Sequence, residues 1–225
     1  MANVLVVAAH PDDEVLGCGA TIRRHVLMGD RVSVVFMADG ELSRSGSSKK
    51  DIELRRIMAN NVAELLGTES PIFLDYPDNK MDTVPLLNIV NDLEAVIKNI
   101  QPDTIYTHHT GDLNIDHQIT NRAVFTAARP VPVSSVKIIR IFEIPTSTEW
   151  AFLSNAEAFL PTCFVDISET LATKLRGLEI YRSEMRSFPH ARSIENVEAL
   201  AVLRGASVGL KSAEAFMIGR LIEGS

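Results

Sequence analysis

Several features that mark common functional classes are absent from this 225-residue chain. Its two cysteines, Cys18 and Cys163, are too few for a disulfide framework and lack the Cys-x-x-Cys spacing of a metal site. No apolar run approaches the ~18 residues that a membrane span needs. The net charge is −7 and the basic residues are scattered, unlike in proteins that follow a nucleic-acid backbone. We therefore expect two buried structural cysteines, no membrane span and no nucleic-acid partner.

We expect no secretory leader at the start of this sequence. No basic stretch precedes the apolar segment Val4–Ala9, and acidic residues follow it at once, so we expect a cytoplasmic protein. The content of 46% apolar and 23% charged residues is ordinary for a globular chain. A chain of this length can bury one sizeable core, and we expect a single domain over residues 1–225.

Short apolar segments alternate with segments whose apolar residues recur at helical spacing. The strand-like segments are Val4–Ala9, Arg31–Ala38, Pro71–Asp75, Asp103–His108 and Lys137–Ile144. The helix-like segments between them are Gly19–Met28, Asp51–Leu66 and Val84–Ile100. This alternation predicts an α/β, Rossmann-like fold with a mostly parallel sheet flanked by helices. A helical C-terminal part is expected over Ser168–Arg186, Ser193–Arg204 and Ala213–Ile222.

Ionisable residues follow the ends of the first four predicted strands. These groups are His10 to Glu14, Asp39 to Glu41, Asp75 to Asp78 and His108 to His117. Right-handed crossovers bring the carboxyl ends of parallel strands to one edge of the sheet, where such folds bind ligands. That edge is the expected site. The polar segment Ser43–Lys50, "SRSGSSKK", is expected to form a surface loop beside it, with a lid as the alternative.

The stretch "AAHPDDEVLG" has the residue types of a metal site. The turn at Pro11 breaks the strand alternation, so His10 and Asp13 can converge on one ion with Asp12 beside them. Two histidines and one carboxylate suit zinc and leave a position open for water or substrate. A capped helix start without a metal explains the same acidic residues, so both interpretations remain.

A third ligand is expected from Thr107–Val124, "THHTGDLNIDHQITNRAV". Asn114 can cap a helix that starts there and place His117 in its first turn, facing the same edge. His108 and His109 compete with His117 for this role. A dinucleotide site is disfavoured, because the Gly-x-Gly-x-x-Gly spacing is missing.

Two motifs resemble a known family. "AHPDDE", residues 9–14, together with "NIDH", residues 114–117, resembles the PIG-L/LmbE family of zinc-dependent N-deacetylases of N-acetylglucosamine-type sugars. "LDYPD" and "PHARSIENVEALAVLRGASVGLKSAEAF" are also similar to family segments, so the resemblance covers most of the chain. It implies a metal-dependent hydrolase that removes the N-acetyl group from an amino sugar, either free, in a glycoconjugate or linked to a nucleotide. The resemblance also implies a homo-oligomer.

The resemblance implies roles for named residues. His10, Asp13 and His117 would bind Zn²⁺, with Fe²⁺ or another divalent ion as the alternative. Asp12 would be the general base that takes a proton from water and returns it to the leaving amine.

Three further residues, Arg55, Asp78 and Arg192, are expected to contact the substrate. Arg55 matches a substrate-contacting arginine of the family, and Asp78 matches an acidic residue that holds sugar hydroxyls. Arg192 lies in "FPHARS", which is similar to a His-Pro-Arg-Ser segment of one branch of the family.

One position departs from the family pattern. This chain has Asn114 where the family's second motif begins with a histidine that stabilises the oxyanion. Asn114 itself, His190 or His109 is the candidate replacement. Two alternative functions therefore stay open: a broader amidase acting on a thiol glycoconjugate, and a sugar-binding protein that has lost the reaction.

Overall fold

The computed structural model describes residues 1–43, 46, 48–151 and 158–223. Its strands are β1 (Asn3–Ala8), β2 (Arg31–Ala38), β3 (Ile72–Tyr76), β4 (Thr104–His108), β5 (Ile138–Phe142), β6 (Cys163–Asp166) and β7 (Ala213–Leu221). Its α-helices are α1 (Asp13–Leu27), α2 (Lys49–Leu66), α3 (Leu86–Ile100), α4 (Ile115–Ala127), α5 (Leu171–Ile180) and α6 (Ile194–Ala206). A short 3₁₀ turn covers Met81–Thr83.

The strands form a sheet in the order β3-β2-β1-β4-β5-β7-β6. Strands β1 to β5 run parallel to one another, whereas β7 runs antiparallel to both β5 and β6. The predicted α/β fold with a mostly parallel sheet is confirmed. The order reverses beside β1, whose neighbours are β2 and β4, and open α/β sheets bind ligands at such a point.

Both faces of the central strand β1 are buried. Val4, Val6 and Ala8 belong to one apolar cluster, and Leu5 and Val7 to a second one. Because successive strand residues point to opposite faces, the two clusters are the two layers between sheet and helices. This explains why the strand reads as a continuous apolar run.

Helix α1 starts earlier than predicted and is kinked. It begins at Asp13 rather than Gly19, and Cys18 has non-helical angles, φ −150° and ψ 22°. Glu214 on β7 accepts hydrogen bonds from the freed N–H groups of Ala20 (3.2 Å) and Thr21 (2.7 Å). The predicted segment Gly19–Met28 therefore corresponds to the part of α1 after the kink.

The prediction of a helix over Ala213–Ile222 is wrong, because this segment is strand β7. Strand β6 was not predicted at all. Short apolar runs fit both periodicities, and pairing with β5 and β6 decides the outcome here. The other two C-terminal helices are present as α5 and α6, and Ser193 caps α6 by accepting from the Asn196 N–H.

The remaining predictions concern loops, cysteines and membrane spans. Part of the predicted loop Ser43–Lys50 belongs to α2, which begins at Lys49, and residues 44, 45 and 47 lie outside the described part of the chain. Cys18 is buried and Cys163 is half-buried, and neither forms a disulfide. Among the described residues, no helix combines the length and the apolar character needed to cross a membrane.

Candidate active site

The turn between β1 and α1 supplies the first residues of the site. After β1 the chain turns at Pro11, and Asp12 has the unusual angles φ 132° and ψ −29°. The N–H of His10 donates to Asp13 Oδ2 at 2.9 Å, which closes the turn. His10 and Asp13 are thereby brought to the same side of the sheet edge.

His117 joins these two side chains from the first turn of α4. Asp13 Oδ2 lies 3.3 Å from His10 Nδ1 and 3.3 Å from His117 Nε2. The three ligand atoms are all within 4.8 Å of one another, and the three residues are buried. The structure thus brings the three predicted metal ligands together.

Two atoms of this cluster are buried without a hydrogen-bond partner. They are Asp13 Oδ1 and His117 Nε2, among the described residues. Buried polar atoms are nearly always satisfied, so each such atom needs an explanation. A divalent cation is one, because a carboxylate oxygen and a neutral imidazole nitrogen are both zinc ligands. The donor set therefore fits a metal ion.

Aspartates outside the cluster orient both histidines. Asp112 Oδ2 lies 2.9 Å from His117 Nδ1, and the Thr148 hydroxyl donates to Asp112 Oδ1 at 2.6 Å. Asp116 Oδ2 lies 3.1 Å from His10 Nε2. A hydrogen bond at one ring nitrogen fixes which nitrogen is left for a metal. These bonds leave His10 Nδ1 and His117 Nε2 facing Asp13.

The electrostatics of the cluster favour a cation. Burial lowers the pKa of His10, but hydrogen bonds to Asp116, Asp13 and Asp78 outweigh it and the pKa lies well above its usual value. For Asp13, burial is outweighed by the neighbouring histidines His117 and His108, so its pKa lies well below the usual value. Both directions show that the buried carboxylates stabilise positive charge at this point.

His108, the alternative to His117 as the third ligand, contacts the backbone through its Nε2. Its Nε2 accepts the Ala9 N–H at 2.8 Å, and its ring stacks on that of His117 with centroids 3.9 Å apart. Burial, followed by the nearby His117, holds the pKa of His108 well below its usual value. A second group with ligand-type spacing, His108, Asp112 and His117, shares these contacts. We favour the first group, because His108 Nε2 accepts the Ala9 N–H, so the proton of the neutral ring is on Nδ1 and neither nitrogen offers a lone pair to a metal.

Asp12 lies beside the cluster with two arginines. Its Oδ2 accepts from Arg192 Nη1 at 3.0 Å and lies 3.9 Å from Arg55 Nη1. Burial raises the pKa of Asp12 to about 6, although Arg192 opposes this rise. A buried carboxylate with that environment is of the type that enzymes use in proton transfer.

A polar cleft of about 100 Å³ opens next to the cluster. Six predicted site residues line it: His10, Asp12, Arg55, Asp78, Asn114 and Arg192. Among the residues that the structure describes, neither His190 nor His109 lines this cleft. Asp13 and His117 are also absent from the lining and are fully buried.

The candidates for the oxyanion position differ in their contacts. Asn114 caps α4 by accepting the Asp116 N–H at 2.8 Å, and its Nδ2 donates to Asn79 Oδ1 at 3.1 Å. His190 Nδ1 accepts the Arg192 N–H at 3.0 Å, and its ring meets Trp150 edge to face. The ring of His109 meets Phe159 in the same way. Of the three candidates, Asn114 is the one that the cleft exposes.

Two of the predicted substrate-contacting residues, Arg55 and Asp78, form hydrogen bonds within the protein. Arg55 is 2% exposed and donates from Nε to Glu41 at 2.8 Å and from Nη1 to the Pro11 carbonyl at 2.9 Å. Asp78 is also 2% exposed and accepts from the Ser43 N–H at 2.9 Å. Both residues reach the cleft while supporting its walls.

Sequence reasoning missed Asp112 and Asp116 and gave Glu14 only a general supporting place. The signal for the two aspartates was their position in the quoted segment, five residues and one residue before His117. Glu14 Oε2 accepts the Asp12 N–H at 2.9 Å. Only the folded structure shows that Asp112 and Asp116 contact the histidines. The contact of Glu14 with the backbone of Asp12 is likewise visible only there.

The fold and site together define a class: a doubly wound α/β protein with two histidines and an aspartate at the carboxyl edge of its sheet. The sequence model described as PIG-L, GlcNAc-PI de-N-acetylase, matches residues 5–128, more than half of the chain. The chain belongs to the PIG-L family. The resemblance inferred from the two motifs is therefore confirmed.

Curated relatives align over most of their length. An uncharacterized deacetylase of Escherichia coli, YaiS, is 29% identical over 187 residues, covering 80% of this chain and 91% of the relative. A probable N-acetyl-α-D-glucosaminyl L-malate deacetylase 2 of Bacillus cereus is 28% identical over 212 residues, covering 88% and 91%. Both are named as deacetylases.

Solved structures share the fold. The N,N′-diacetylchitobiose deacetylase of Pyrococcus horikoshii has a TM-score of 0.79 and 23% identity, with 97% of this chain and 84% of that chain covered. The 4-carboxy-2-hydroxymuconate hydratase GalB of Pseudomonas putida has a TM-score of 0.75 and 24% identity, with 100% of both chains covered. A deacetylase and a hydratase thus share this architecture, so the reaction must be argued from the site.

Proposed function

We propose that this protein is a metal-dependent hydrolase that removes the N-acetyl group from an N-acetylated amino sugar. The observation that carries the proposal is the buried group His10, Asp13 and His117, in which Asp13 Oδ1 and His117 Nε2 have no hydrogen-bond partner. The proposal is also supported by membership of the PIG-L family and by relatives named as N-acetylglucosaminyl malate and diacetylchitobiose deacetylases.

In this proposal His10, Asp13 and His117 hold a divalent ion, with zinc as the first choice. Such an ion, when bound, supplies Lewis-acid polarisation of the amide carbonyl and lowers the pKa of water. Asp112 and Asp116 hold the two imidazoles in the tautomers that direct Nε2 of His117 and Nδ1 of His10 toward Asp13.

Asp12 serves as the general base and then as the general acid. Its carboxylate takes a proton from the attacking water and delivers that proton to the nitrogen of the leaving amine. Arg192, 3.0 Å from Asp12 Oδ2, favours the ionised form before the reaction, whereas burial favours the protonated form that follows. The two influences suit a group that must change its charge twice in each turnover.

The cleft walls would hold the sugar. Hydroxyl groups need donors and acceptors, and the lining offers both in Asp78, Asn114 and Arg192. In the oxyanion position, Asn114 Nδ2 can donate a hydrogen bond but carries no charge. We assign the stabilisation of the oxyanion to Asn114 on the grounds that it lines the cleft and that His190 and His109 do not.

A screen for acetate release tests the function. Purified protein, analysed for bound metal, is incubated with N-acetylglucosamine, N,N′-diacetylchitobiose, an N-acetylglucosaminyl malate conjugate and a thiol glycoconjugate, and free acetate and amine are measured. Release of one acetate per amine supports the proposal. Tight sugar binding without acetate release from metal-replete protein would instead favour the sugar-binding alternative, and release from a thiol glycoconjugate alone would favour the broader amidase.

Two variants separate proton transfer from metal binding. Asp12→Asn keeps the size of the side chain, and we expect turnover to fall by about 10²- to 10⁴-fold at unchanged metal content. His117→Ala should lose both the metal and the activity. An Asp12→Asn variant that retains turnover would remove Asp12 from the mechanism.

A further inference from the structure

The peptide bond between Pro11 and Asp12 is held at both of its polar atoms by the buried side chains of Arg55 and Glu14. Arg55 Nη1 donates to the Pro11 carbonyl oxygen at 2.9 Å. The Asp12 N–H donates to Glu14 Oε2, also at 2.9 Å. Two buried side chains, from α2 and from the start of α1, therefore fix the orientation of a single peptide plane.

This peptide leads into a conformation that needs support. Asp12 has φ 132°, a region that residues other than glycine rarely adopt. On its other side, the Asp12 carbonyl accepts from the N–H groups of Val15 (3.1 Å) and Leu16 (2.9 Å), where α1 begins. Strained backbone of this kind persists when surrounding contacts over-determine it, and it occurs often at active sites.

One turn contacts both Glu14 and Arg55. The Tyr181 hydroxyl, just after α5, donates to Glu14 Oε1 at 2.9 Å, and Glu184 Oε1 lies 2.5 Å from Arg55 Nη2. The Glu184 N–H donates to the Tyr181 carbonyl at 2.8 Å, so the two anchors belong to the same turn. The C-terminal part of the chain thus reaches the Pro11–Asp12 peptide by two separate routes.

The four side chains are all buried: Glu14 2% exposed, Arg55 2%, Tyr181 0% and Glu184 5%. A buried ionic network is weak support for stability, since apolar residues of the same volume often do as well. It does impose geometry, because hydrogen bonds to a peptide plane restrict its rotation. A rotation of this plane would move the Asp12 side chain relative to His10 and Asp13.

We propose that Glu14 and Arg55 are positioning residues that hold the Pro11–Asp12 peptide, with the Tyr181–Glu184 turn as their common anchor, and that this clamp sets the location of the Asp12 carboxylate. The catalytic consequence rests on the proposed function, whereas the clamp itself does not. Arg55 then acts through the backbone beside Asp12, and a direct contact with substrate is not needed to explain it.

The variant Tyr181→Phe tests the anchor with the loss of one oxygen atom. Displacement of a reacting group by about 1 Å can cost ~10²-fold in rate, so we expect kcat for acetate release from N,N′-diacetylchitobiose, or the best sugar of the screen, to fall by about 10- to 100-fold. KM should stay within about twofold and the bound metal should be unchanged, because neither the cleft wall nor the metal ligands are altered.

Tyr106→Phe is the matched control. Tyr106 is equally buried, and its hydroxyl contacts the charged Arg140 and also His25 (2.9 Å), away from the cleft. We expect it to lose thermal stability to a similar extent while its kcat stays at the wild-type value. Equal kcat values for Tyr181→Phe and Tyr106→Phe would refute the clamp as a determinant of catalysis.

Two substitutions at Glu14 test whether a hydrogen-bond acceptor at this position is sufficient to maintain kcat. Glu14→Gln keeps an oxygen that can accept the Asp12 N–H and an amide that can pair with the Tyr181 hydroxyl, so most of the kcat should remain. Glu14→Leu has similar volume but no acceptor, and its kcat should fall at least as far as in Tyr181→Phe. The opposite order, Gln below Leu, would contradict the proposal.

Hydrogen exchange of the Asp12 amide, followed by ¹⁵N NMR, tests the clamp without a measurement of enzyme activity. This N–H should exchange about tenfold faster in Tyr181→Phe than in wild type and should be unaffected in Tyr106→Phe. If no sugar releases acetate but exchange behaves as expected, the proposed function fails and the clamp stands. Unchanged exchange in Tyr181→Phe and Glu14→Leu would overturn the clamp itself.

Discussion

Asp112 lies outside the proposed metal ligands, yet its contact with His117 determines what that histidine can do. Its Oδ2 accepts from His117 Nδ1, which leaves Nε2 as the proposed ligand atom. Loss of such a partner typically reduces metal affinity by about 10- to 100-fold. We therefore expect Asp112→Ala to bind zinc about 10- to 100-fold more weakly in a chelator-competition titration.

Asp92→Ala is the control for that titration. Asp92 accepts a hydrogen bond from the Tyr76 hydroxyl and lies outside the cluster, so its loss removes a hydrogen-bonded carboxylate without touching the histidines. Zinc affinity should be unchanged. If both variants weaken zinc equally, general destabilisation rather than orientation of His117 is the cause.

At the residue scale, the sequence predicts the candidate metal ligands better than the residues that orient them. His10, Asp13 and His117 follow strand ends or start a helix, and the parallel topology brings those positions together. The support from Asp116 depends on the φ/ψ angles of the turn after Tyr76, where the Asn79 N–H donates to Asp116 Oδ2 at 2.6 Å. A contact between such distant segments has no periodic signal in the sequence.

Helix α1 shows how an element carries the site. Gly17 is packed against Phe142, and a Cβ added at Gly17 would lie 2.4 Å from a carbon of that ring. Gly→Ala within a helix normally stabilises by roughly 0.5–1 kcal/mol. Here overpacking should dominate, and we expect Gly17→Ala to lower the free energy of unfolding by about 1–3 kcal/mol in urea denaturation.

A double-mutant cycle isolates that contact. Phe142→Leu removes the ring carbons that the new methyl group would meet, so Gly17→Ala should cost less in the Phe142→Leu background than in wild type. Additive effects of the two substitutions would show that the Gly17–Phe142 contact does not set the cost. Because Asp12 and Asp13 begin the same helix, acetate release by Gly17→Ala should fall more than its stability alone explains.

The sequence predicts the elements with strong periodicity. It does not predict β6 and β7, whose conformation depends on pairing between strands. Strand β1 and helix α3 combine length with a clear apolar pattern, and both were found close to their predicted bounds. Strand β7 was assigned to a helix because its apolar residues, over Ala213–Leu221, satisfy both periods. Its hydrogen bonds to β5 and β6 come from segments more than 40 residues away in the sequence, for which local patterns carry no signal.

At the scale of the whole molecule, the site joins parts of the chain that are far apart in sequence. Asp12 from the first turn meets Arg192, 180 residues later, and Glu14 meets Tyr181. The family model covers residues 5–128, so these partners lie beyond the matched segment. The C-terminal part therefore completes the surroundings of Asp12, while the N-terminal part holds all three candidate metal ligands.

The candidate metal ligands meet only in the folded protein, so metal binding should stabilise the entire fold. A ligand that binds only the folded protein stabilises it by ~2.7 kcal/mol when its concentration is a hundred times its Kd. A chain of this size shifts its Tm by roughly 2–4 °C per kcal/mol, so removal of zinc with EDTA should lower the Tm by about 5–10 °C. Calorimetry of the metal-loaded and chelated protein measures this shift, and added zinc should reverse it. His117→Ala should show little response to either treatment, and an equal EDTA effect in that variant would place the metal elsewhere.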